Sequence, residues 1–90
     1  MNPFEQPIYL LTSDQDWAPP WAMRTLLDAV GELPLHLFRT NPCPAADEAF
    51  RSGSITQGWH PNLLPGSSHG NSSKEIIDYM TRWFPNCNTV

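Results

Sequence analysis

Apolar residues come in short bursts along the chain, and the bursts alternate between two kinds of pattern. "PIYLLTS" is a continuous apolar run that stops at polar residues, which predicts a buried strand over 7–13. "WAPPWAMRTLLDAVG" follows, with Pro19 and Pro20 placed to open a helix where a missing N–H costs little. Met23, Leu26, Leu27 and Val30 then fall at i, i+3, i+4 and i+7, a single apolar stripe. Gly31 stands where a left-handed C-terminal cap is expected, so the helix is predicted over 20–31. "LPLHLFRT" predicts a second strand over 34–40 and "SITQGWH" a third over 54–60. Between them, "CPAADEAFRSG" reads as a short, weak helix closed by Gly53. Ser72 and Glu75 have capping-box spacing for a last helix over 73–84. Its expected buried face is Ile76, Met80, Trp83 and Phe84, and Pro85 ends it.

Strand and helix therefore alternate three times, which predicts an α/β chain with a parallel sheet and right-handed crossovers. In such sheets function gathers at the C-terminal ends of the strands. Asp14 and Asp16 lie at the end of the first strand, Thr40 and Asn41 at the end of the second, and His60 at the end of the third. All of this polar punctuation falls on one rim.

Composition narrows the partners. Ninety residues make one small domain with a modest core. A net charge of -4 with only five Lys and Arg offers no basic patch, so nucleic acid is not an expected partner. Hydrophobic residues at 40% argue against disorder, and ten Pro argue for many turns. No stretch approaches the roughly 20 apolar residues of a membrane span. The N-terminus lacks a basic region and a cleavage-type site, so a cytoplasmic location is expected. Cys43 and Cys87 follow no metal spacing and read as two free thiols, with a disulfide as the alternative.

Asp14 and Asp16, in "SDQDW", share a face because side chains alternate along a strand. Two like charges held close repel unless a cation sits between them or they do chemistry. The plainer reading makes Asp14 a loop residue and Asp16 the cap of the following helix. "HPNLLPGSSHG" supplies His60 and, nine positions on, His69. Singly, these would be a packed strand residue beside Trp59 and a solvated loop residue. Two imidazoles and two carboxylates on one rim instead suit a divalent ion such as zinc. His36, opposite in phase to Leu35 and Leu37 within its strand, reads as a packing residue.

"DQDW" at 14–17 and "HPNLLPGSSHG" at 60–70 resemble the first two motifs of polysaccharide deacetylases of the NodB-homology type, carbohydrate esterase family 4. The likeness is to the branch found in surface-polysaccharide gene clusters. It implies the first part of a distorted (β/α) barrel and metal-dependent removal of an acetyl group from an amino sugar. It also implies Asp14 as general base and Asp16, His60 and His69 as metal ligands. Zinc is the implied ion, with cobalt or nickel as alternatives, and an N-acetylated carbohydrate the implied substrate. The commoner family motif has adjacent aspartates and more closely spaced histidines. The family's later motifs, an Arg that orients the base and a His that acts as general acid, have no counterpart in residues 1–90. The expectation is therefore a partial catalytic domain, the N-terminal half, open to self-association through uncovered sheet edges. The competing expectation is a non-catalytic remnant that binds a metal, a sugar or a partner protein. A flavodoxin-like module would want a Gly-rich phosphate loop where the chain has "SDQDWAPP".

Overall fold

A computed structural model describes residues 10–87. The elements follow the predicted order: β1 (Leu11–Asp14), α1 (Pro20–Val30), β2 (Leu35–Arg39), α2 (Pro44–Arg51), β3 (Ile55–Trp59) and α3 (Ser73–Trp83). The strands form one parallel sheet in the order β1-β2-β3. Each connection is a crossover helix, as parallel neighbours require. Residues 7–9 of the predicted first strand lie outside the described residues, and the strand runs one residue further than predicted, to Asp14.

The register aligns Leu11 with Leu35 and Leu35 with Ile55, so one face of the sheet is apolar across all three strands. Met23 of α1 and Ala46 of α2 pack there with Leu35, Leu37, Ile55 and Cys43. Leu26, Leu27 and Val30 flank this cluster, as the predicted stripe requires. Pro20 opens α1, and Gly31 closes it at φ +59 with its N–H on the Leu27 carbonyl. Ser72 caps α3 by accepting from the Glu75 N–H. Ile76, Met80 and Phe84 are buried as expected, but Trp83 is 46% exposed. The buried row steps by four residues, and Trp83 sits beside it, with the Arg82 guanidinium over its ring. Both cysteines are free.

Two further residues keep the phase of the apolar face but are polar. Arg39 continues Leu35 and Leu37 and is fully buried, and Gln57 continues Ile55 at 3% exposure. The Arg39 guanidinium donates to Asp47 of α2 at 2.7 Å, Gln57 at 3.0 Å and Gln15 at 3.1 Å. The Phe84 ring lies 4.7 Å from it. A buried charge is tolerated only when paired and hydrogen-bonded in this way. Arg39 thus ties the end of β1, α2, β3 and the residue after α3 to one point. On the opposite face Thr12, Asp14 and Thr56 are exposed, while His36 is nearly buried. His36 Nδ1 lies 2.6 Å from the Thr56 hydroxyl, and its ring meets Phe38 edge-on, a packing role as predicted.

Candidate metal centre

Asp14 is the last residue of β1, and the chain then reverses in a tight turn. The Ala18 N–H donates to the Gln15 carbonyl at 2.9 Å, and the two central residues, Asp16 and Trp17, take φ of 46 and 58. Neither is a glycine, so the left-handed conformation is strained at both. The helix cap is Pro19, which makes no side-chain cap bond. Asp16 is therefore not a cap, and the plainer reading of that residue does not hold. Its carboxylate instead faces His60, with Oδ1 2.8 Å from Nε2.

His60 continues the ladder one step past β3, its N–H donating to the Arg39 carbonyl at 2.8 Å. The end of β2 thereby sets the height of His60 on the rim, and the Gln15 N–H on the Phe38 carbonyl does the same for the turn. Asp14, Asp16 and His60 each bring a ligand atom within 4.8 Å of the others. Two carboxylates and one imidazole at that separation are a fitting donor set for a small divalent ion. All three side chains are at least partly open to solvent, so an ion there would keep positions free for water or substrate.

His69 does not join that group. It is buried at 5% exposure and stacks on Tyr79 of α3, centroids 4.2 Å apart. Its Nδ1 accepts from the Asn62 N–H at 2.9 Å, which puts the proton of the neutral ring on Nε2. Nε2 is enclosed near the Thr40 carbonyl without a well-formed hydrogen bond. Burial pushes the His69 pKa below its ordinary value, against the opposing pull of that carbonyl. In this arrangement neither ring nitrogen offers a free lone pair to an ion. The loop around it is knotted at Asn62, whose carbonyl accepts from the Ser67 hydroxyl at 2.6 Å, while Ser67 accepts from the His69 N–H.

Beside the three-residue group lies an open cleft of about 350 Å³, lined by Asp16, Trp17 and His60 together with Pro61, Asn62, Leu63 and Leu64. Trp17 is 48% exposed, and Leu63 and Leu64 are more so. An apolar wall next to a charged corner suits a ligand with both kinds of surface. The sequence reading passed over Gln15 and Arg39. The signal was present: both are polar residues in the phase of the buried face, at the ends of adjacent strands.

The family model for WbmS-like polysaccharide deacetylases matches residues 11–90. A crystal structure from Bordetella bronchiseptica, described as a candidate polysaccharide deacetylase involved in O-antigen biosynthesis, superposes with a TM-score of 0.74 at 27% identity. The match covers 87% of this chain but 34% of that one, so the chain spans about a third of the length of the structure it resembles. No match was found among curated proteins.

Proposed function

The chain belongs to the WbmS-like polysaccharide deacetylase family, and we propose that it carries the metal-holding and proton-accepting part of an N-deacetylase acting on an N-acetylated carbohydrate. The observation that supports this most directly is the convergence of Asp14, Asp16 and His60 beside an apolar cleft. Asp16 and His60, already 2.8 Å apart, would hold the ion, with zinc first and cobalt or nickel as alternatives. When bound, such an ion supplies a Lewis acid that acidifies water and polarises an acetyl carbonyl. Asp14 ends β1, and its exposed side chain stands on the same rim. It would accept the proton of the attacking water. Trp17, Leu63 and Leu64 would cover the apolar face of the sugar or the acetyl methyl group and exclude water from the reacting carbonyl.

His69 is given a different role from the one the resemblance implies. It supports the loop that carries His60, with Asn62 N–H on one ring nitrogen and Tyr79 on its face. The departing amine also needs a proton, and His36, turned to Thr56 within the sheet, is not arranged to give it. The donor would then come from outside the described residues. The test is zinc, cobalt and nickel binding together with acetate release from an N-acetylated oligosaccharide. Asp16→Ala should abolish metal binding. Asp14→Asn should keep the metal, because it removes a base and not a ligand. The isolated chain should release acetate about 10²–10⁴-fold more slowly than a deacetylase with its acid in place. Turnover at the level of a full-length enzyme would overturn the missing-donor reading, and equal metal loss in both variants would overturn the division of roles.

A further inference from the structure

Gln15 stands between the two carboxylates, yet its side chain points to the other side of the strand and is 1% exposed. Its Oε1 accepts from the Thr40 N–H at 2.8 Å, the Asn41 N–H at 3.3 Å and Arg39 Nε at 3.1 Å. Its Nε2 donates to the Asn41 carbonyl at 2.8 Å. Every polar atom of the amide is thus spent on the end of β2, and none on the rim. Thr40 and Asn41 leave the ladder where β2 stops, so their N–H groups have no strand partner to take the place of Gln15.

The turn anchored in this way is the one with two strained residues in succession, Asp16 and Trp17. A turn of that kind persists only where its surroundings over-determine it. Released, the turn would relax toward negative φ at Asp16 and swing that carboxylate away from His60. The anchor is also selective. With residue 15 turned inward, Asp14 beside it in the strand faces outward, and the left-handed turn carries Asp16 to the same rim.

We infer that Gln15 is a positioning residue for the metal site: its bonds to Arg39, Thr40 and Asn41 hold the strained turn so that Asp14 and Asp16 both face His60. This inference rests on the metal reading above, but Gln15 itself touches neither ion nor substrate.

The experiment uses the full 90-residue chain, with cobalt(II) titrated by its visible absorption and exchange of the Ala18 amide followed in the metal-free protein. Gln15→Leu keeps the volume and deletes the bonds. It should weaken cobalt binding about 10–100-fold, the usual effect of losing a group that orients a ligand, and speed Ala18 exchange. Gln15→Glu keeps an oxygen for Arg39 and the Thr40 N–H but sets its second oxygen against the Asn41 carbonyl, and should recover only part of both. Gln57→Leu removes a comparable bond from Arg39 but none from the turn. It should lower stability and leave cobalt affinity as in the wild type. Gln15→Asn, too short to span to β2, gives the same readout in a milder background if Gln15→Leu does not fold. Unchanged cobalt affinity in the folded Gln15 variants, or equal loss in Gln57→Leu, would overturn the inference. A wild-type chain that takes up no cobalt would overturn the metal reading instead, and Ala18 exchange would still decide whether Gln15 holds the turn.

Discussion

The turn at 15–18 is tied to the sheet by side-chain bonds that jump 24 to 26 positions along the chain. The loop from His60 to Gly70 is tied mainly to itself, by bonds that span two to seven positions. Both segments bring a side chain of the candidate site to the same rim. The turn keeps its strained shape only while β2 and Arg39 are in place. The loop carries its own scaffold, with Asn62 and Ser67 as its internal posts. A site assembled from one dependent and one self-supporting segment should fail asymmetrically, and that asymmetry can be measured.

The largest effect is expected at the shared anchor. Arg39→Ala leaves Gln15, Gln57 and Asp47 without their common donor and opens a cavity under Phe84. Asp47 is one-third exposed and can turn to water, so the cost comes from the cavity and the lost hydrogen bonds and is about 2–5 kcal/mol, a large part of the stability of a small domain. Urea unfolding should show a much earlier midpoint or no cooperative transition. A loss within the range of ordinary surface substitutions would show that the turn does not depend on this network.

A smaller effect is expected from the loop side. Gly70 has φ +150, and a Cβ there would meet the Cβ and backbone of Glu75. Gly70→Ala must therefore shift the first turn of α3, where Glu75 also accepts from the Asn71 N–H. A strained backbone position costs of order 1–3 kcal/mol. Because the loop is tied to itself, the damage should stay there, and the Ala18 amide should keep its protection. Faster Ala18 exchange in this variant would break the distinction between the two segments.

The smallest effect is a pH dependence. His69 is buried, and its folded pKa lies below the ordinary value of 6.5. The unfolded chain then binds the proton more readily than the folded one. The stabilising contribution is present above that ordinary value and is lost as pH falls through the folded one. Lowering the pH from 7.5 toward 5 should reduce the urea midpoint more in the wild type than in His69→Gln. Identical slopes would remove the buried neutral imidazole from the account. Cobalt affinity should fall far more in His60→Ala than in His69→Gln. Equal loss would bring His69 into the ligand set that the family resemblance implies.

Much of this architecture is legible in the sequence. The stripe of Met23, Leu26, Leu27 and Val30, the Pro19–Pro20 entry, the Gly31 exit and the Ser72 cap each depend on residues a few positions apart, and local geometry decides them. The shared rim of Asp14 and Asp16 does not come from strand alternation, because β1 ends at Asp14 and Asp16 lies in the left-handed turn. The two family motifs supply the three residues, Asp14, Asp16 and His60, that the fold brings together. Trp83 was misplaced because helical spacing gives a stripe about two residues wide and does not say which edge meets the sheet.

What the sequence determined by itself was the order of elements, the parallel sheet and the rim on which the polar residues gather, because burial periodicity is a short-range property. The tertiary structure alone decided that Asp16 turns to His60 and not to the helix it precedes. It also decided that His69 turns inward to Asn62 and Tyr79, and that Gln15, Arg39 and Gln57 find one another beneath the rim. These pairings join residues far apart in the chain, through a turn and a loop whose paths leave no periodic trace. A buried polar group settles only where the assembled fold supplies its hydrogen-bonding partners.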